Sequence, residues 1–163
     1  MKFFTLDAVA VLACLPHVSV KMNRKTMEAL HLRADGVVEA TDNHTFGAYR
    51  QGHTAGREIT LALHDPKQIA ALKKLATDAA KRDAPLTVQE VITAGEAVAY
   101  QISEDGRLAD SRYLLASEFP FPDTARVWPT IAGSSVAAVA LDPALVARFA
   151  VKVTPRRETR VRF

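Results

Sequence analysis

A chain of 163 residues, 48% hydrophobic and 24% charged, is one domain or one domain plus a piece of another, with enough apolar content for a real core. Its net charge of +3 permits nucleic-acid binding without demanding it. The single cysteine, Cys14, excludes an intrachain disulfide and fits a reducing cytoplasm.

Lys2-Phe3-Phe4-Thr5 is a short strand candidate. Asp7 caps a short helix over Ala8–Leu15, which Pro16 ends. Val11-Leu12-Ala13-Cys14 has the wording of a lipoprotein box, but Asp7 leaves only Ala8 to Ala13 as an apolar run. That is too short for a signal peptide, no run is long enough to span a membrane, and a cytoplasmic location is expected. His17 to Met22 alternates weakly and is a further strand candidate.

From Leu30 to Arg50 the chain reads as an antiparallel meander. Asp35-Gly36 between alternating runs is a strong hairpin signal. Val37–Thr41 ends in Asp42-Asn43-His44, where Asp and Asn bond their own backbone and tolerate a left-handed turn. Phe46–Arg50 then returns. Glu58 to His64 alternates as a strand. Asp65 and Pro66 open the best helix of the chain, which runs to about Arg82 because Pro85 stops it. Ile69, Leu72, Leu75, Ala76 and Ala79 share its apolar face. Lys67, Lys74 and Lys81 recur every seven residues on the opposite face, with Lys73 and Arg82 on the flanks. Such a stripe is either an ordinary solvated face or a positive track for nucleic acid. Strands follow over Leu86–Thr93, Ala97–Ser103 and Leu108–Ser117. The periodicity therefore spells a duplicated β-α-β-β-β pattern, an α+β domain with two helices against antiparallel sheet.

Beyond Pro129, residues 130–163 read as a linker plus a partial further β-α-β unit. Asp142-Pro143 opens its helix, which carries Arg148 and Lys152, and an Arg-rich tail closes the chain.

Two segments carry a family likeness. Ala40-Thr41-Asp42-Asn43-His44 resembles the "ATDGHR" corner of bacterial sliding clamps, the beta subunits of replicative DNA polymerase. Phe121-Pro122-Asp123-Thr124-Ala125-Arg126-Val127-Trp128-Pro129 resembles their "FPDYRRVIP" segment. The likeness covers residues 1–129 as one repeat. The family's Gly is Asn43 here, its Arg is Thr45 and its Tyr is Thr124, so contacts made through that Arg or Tyr do not carry over.

The resemblance implies a non-enzymatic processivity domain that holds duplex DNA without reading bases. Its contacts would come from Lys67, Lys73, Lys74, Lys81 and Arg82, extended by Arg148 and Lys152. It implies partner peptides from a polymerase or clamp loader docking in a surface cleft. It also implies head-to-tail homo-oligomers, since such rings total six domains. Two other readings stand beside it: a clamp-derived module that binds a replication protein without encircling DNA, and an unrelated α+β scaffold.

Nothing in the sequence asks for chemistry. His17, His31, His44, His53 and His64 form no ligand pair on one helix and read as surface or loop residues. Ser134-Ser135 lacks a nucleophile elbow, and Glu39 and Asp42 show no sign of a carboxylate pair. No cofactor and no metal are expected.

Overall fold

The computed structural model describes residues 3–19, 24–92, 98–104 and 112–124. Eight strands and two helices follow one another there: β1 (Phe3–Leu6), α1 (Ala8–Cys14), β2 (Ala29–Leu32), β3 (Val37–Thr41), β4 (Phe46–Arg50), β5 (Ile59–Ala62), α2 (Pro66–Lys81), β6 (Leu86–Ile92), β7 (Val98–Glu104) and β8 (Arg112–Leu115). The chain is α+β, with every strand pair antiparallel. Residues 125–163 lie outside the described residues, and with them the partial further unit, Trp128, Arg148 and Lys152.

The local signals act as expected. Asp7 Oδ1 accepts from Val9 N at 2.8 Å and starts α1. The α-helix stops at Cys14, just ahead of Pro16, and the path goes on only as a single 3-10 turn over Leu15–His17, where proline's fixed φ and missing N–H are tolerated in the first positions. His17 is therefore in that turn and not on a strand. Asp65 caps α2 in a full capping box with Gln68, and Pro66 fills the first turn. The helix closes where Asp83 takes φ 54° and Ala84 N bonds back to Ala79 O at 3.0 Å. Gly36, at φ 85°, makes the β2–β3 hairpin. A side chain there would also meet His53 O at 2.2 Å.

The strands sort into two four-stranded sheets, ordered β1-β6-β7-β8 and β4-β3-β2-β5. Each β-α-β-β-β unit lends its first strand to the other unit's meander. β1 pairs with β6, Phe3 opposite Gln89, and β5 pairs with β2, Ala29 opposite Ala62. The arrangement has an internal two-fold pattern, β1 to β4 in one half matching β5 to β8 in the other. The helices lie side by side: α1 packs on β3 and β4, α2 on β7 and β8. Between them sits one core, with Leu6, Val11, Leu30, Leu61, Leu72, Leu86 and Ile102 all fully buried.

Along α2, Leu72, Leu75, Ala76 and Ala79 are buried, whereas Ile69 is only half-buried at the rim of the core. The sheets also meet at both ends. Ser117 N donates to Thr60 O at 2.8 Å, joining the end of β8 to β5. Gln51 bridges β4 to β1, accepting from Asp7 N at 3.0 Å and donating to Thr5 O at 3.2 Å.

Candidate nucleic-acid interface and partner cleft

The lysines of α2 lie where the helical repeat puts them. Lys67, Lys73, Lys74 and Lys81 are all exposed, with Lys67, Lys74 and Lys81 on the side of the helix away from Leu72 and Ala79 and Lys73 on its flank. Lys67 and Lys81 are about 21 Å apart along the axis at the helical rise. Lys81 Nζ lies 3.4 Å from Asp78 Oδ1, an exposed pair that competes little with a phosphate. Arg82 is different. Its guanidinium makes a two-pronged contact with Glu104, a carboxylate that is itself buried. Arg82 is thus paired within the fold although its side chain is 56% exposed, which sets it apart from the four lysines. The neighbouring helix adds no cation, since α1 is Ala-Val-Ala-Val-Leu-Ala-Cys. Residues 1–124 hold 14 Lys and Arg against 16 Asp and Glu, so the chain's positive balance resides in residues 125–163.

The two segments that carry the family likeness meet in space, though about eighty residues separate them. Residues 41 and 43–46 line one side of a cleft of about 260 Å³, together with Met27; Pro122, Asp123 and Thr124 line the other. The corner is built by Asp42, whose Oδ1 accepts from His44 N at 3.0 Å and Thr45 N at 2.7 Å. Asn43 stands at φ 74°, a conformation that glycine favours and asparagine tolerates.

Thr45, at the position where the resembled motif has Arg, turns inward. Its Oγ1 donates to Asp42 Oδ1 at 3.0 Å, which leaves it to accept from His17 Nδ1 at 2.9 Å. His17 is fully buried, and His31 is 8% exposed on β2, so the reading of the histidines as surface residues is corrected for these two. His17 fits because Gly47 faces it: a Cβ there would lie 2.3 Å from the imidazole Cδ2. His44, His53 and His64 are exposed. Among the described residues, no three His, Cys, Asp or Glu side chains come together as a metal site.

The segment Pro120–Thr124 crosses the outer face of the β4-β3-β2-β5 sheet as a strap. Phe121 stacks on His31, ring centroids 4.7 Å apart and 8° from parallel. Thr124 Oγ1 donates to Glu39 Oε2 at 2.7 Å. On the far side of the strap, a second cleft of about 420 Å³ is lined by Arg33, Glu58 and Thr60 among others. Glu39, read from sequence as an ordinary strand residue, is 0% exposed. Burial, reinforced by the charge of Glu39, pushes the Cys14 thiol well above the usual thiol range, so Cys14 is inert.

Burial also lowers the pKa of His31, with Glu39 and Glu58 opposing it and Arg33 adding to it. The fold thus prefers neutral His31, while the unfolded chain protonates at about pH 6.5. Stability from this group is fully present above that value and declines as pH falls below it. The expected result is a melting temperature that drops between pH 7 and pH 5.5, with a shallower drop in His31→Gln. Equal slopes would remove His31 as the cause.

No family model, curated protein or solved structure matches this chain. Among the described residues, no helix is long and apolar enough to cross a membrane.

Proposed function

We propose that this chain is a sliding-clamp-like processivity domain, a non-enzymatic cytoplasmic protein that holds duplex DNA through phosphate contacts. The observation that carries the reading is the exchanged, two-fold β-α-β-β-β arrangement. It sets two helices side by side, with sheet behind them and the α2 lysines facing outward. Lysines suit this work because they are point charges that bind phosphates without reading sequence. One-domain chains would close a ring by head-to-tail contact of copies. The mass in solution at micromolar concentration tests this by analytical ultracentrifugation: a closed multimer is expected, and a monomer counts against a ring.

A second reading has its own support: a clamp-derived interaction module that docks a replication protein's peptide in the cleft between the corner and the strap. The two likeness-bearing segments converge there, while α1 lacks charge and Arg82 is engaged. Peptides selected from a displayed random library would lose at least tenfold in affinity on His44→Ala and Met27→Asp if they occupy this cleft. Unchanged affinity would place them elsewhere.

A further inference from the structure

We propose that Glu39 is the positioning residue of the partner cleft: through Thr124, its buried carboxylate holds the Pro120–Thr124 strap in place as one wall. The importance of that wall rests on the interaction reading, whereas the anchor is a property of the strap itself.

Glu39 lies in the middle of β3 with its side chain on the outer face of the sheet, directly across from His31. A carboxylate there would ordinarily face water, yet this one is 0% exposed. It is buried because the strap passes over it. Its two oxygens have separate partners. Oε1 faces Arg33 Nη1 at 3.4 Å, and Oε2 accepts from Thr124 Oγ1 at 2.7 Å. The chain from the end of β8 through the strap meets the sheet at three successive cross-strand neighbours. Ser117 N bonds Thr60 O, Phe121 covers His31, and Thr124 reaches Glu39. Of these residues only Thr124 also lines the partner cleft, where it forms the wall with Pro122; Glu39 lies behind that wall and lines the second cleft.

The opposite wall is secured differently. The corner belongs to the β3–β4 hairpin, and the Asp42–Thr45–His17 chain of hydrogen bonds pins it to the core. The two positions where polar contacts to a partner were in doubt, Thr45 and Thr124, thus both spend their hydroxyls on internal anchors. The corner wall keeps its shape through its own hairpin. The strap wall reaches back across 85 residues to Glu39.

Hydrogen exchange on the full chain, read by mass spectrometry, tests the anchor. Thr124→Val keeps the shape and deletes the hydroxyl; Thr124→Ser keeps the hydroxyl. The expected result is at least tenfold faster exchange across residues 117–124 in the valine variant, wild-type exchange there in the serine variant, and no change across α2. The proposal is overturned if the valine variant matches wild type, if serine behaves like valine, or if α2 accelerates equally, which is general destabilisation. The readout involves no ligand, so its failure is separate from a failure of peptide docking.

Discussion

Changing Lys67, Lys74 and Lys81 together to glutamate is expected to abolish binding to duplex DNA and leave the domain folded. The wild-type interaction should be weak and sequence-blind, in the range of about 10⁻⁴ to 10⁻⁶ M typical of phosphate-only contacts near physiological salt. It should also fall steeply as salt rises, because each neutralised phosphate releases counterion. Losing three contacts makes the slope of log affinity against log salt shallower by about 2.7. The effect is large because these three lysines lie along one line of α2 and residues 1–124 carry no positive excess to replace them. Folding should survive, since all three are exposed and such substitutions usually shift stability by less than about 0.5 kcal/mol. Fluorescence anisotropy across a salt series makes the comparison. Equal binding by both forms would move the contact to the basic residues beyond 124, with Arg148, Lys152, Arg156, Arg157 and Arg160 the first to be changed.

Leu72→Ala is expected to cost about 2–5 kcal/mol. Leu72 is 0% exposed and belongs to the core cluster that also contains Val11 of α1, so shortening it leaves a cavity at the centre of the molecule. The melting temperature should fall on the order of 10 °C for a domain of this size. Ile69→Ala should cost less, because Ile69 is half-buried, and Lys74→Ala should be nearly neutral. A loss below about 0.5 kcal/mol for Leu72→Ala would mean that this face of α2 does not pack on the core.

These two expectations rest on the part of the fold that is most legible in the sequence. Asp65-Pro66 and the spacing of Leu72, Leu75 and Ala79 specify α2 from local chemistry, and Asp35-Gly36 does the same for a hairpin. The exchange of first strands was not legible. Phe3 pairs with Gln89, and periodicity reports the face a residue takes but not its distant partner. Glu39 was missed for the same reason: Val37-Val38-Glu39-Ala40-Thr41 reads as a plain strand, and its cover comes from Thr124. His17 left one usable trace. Gly47 sits inside β4, and a glycine inside a strand often marks the close approach of another group. The corner and strap were visible as wording, but their meeting at one cleft is a property of the folded chain.

A domain that holds duplex DNA by encircling it stays on DNA only while the DNA has no ends. Retention on DNA at moderate salt, measured by gel filtration on nicked circular duplex and on the same duplex linearised, separates encirclement from binding at a site. The expected result is protein that stays with the circle and is lost when the ends are opened. Equal retention on circle and line, or none on either at low salt, would contradict it.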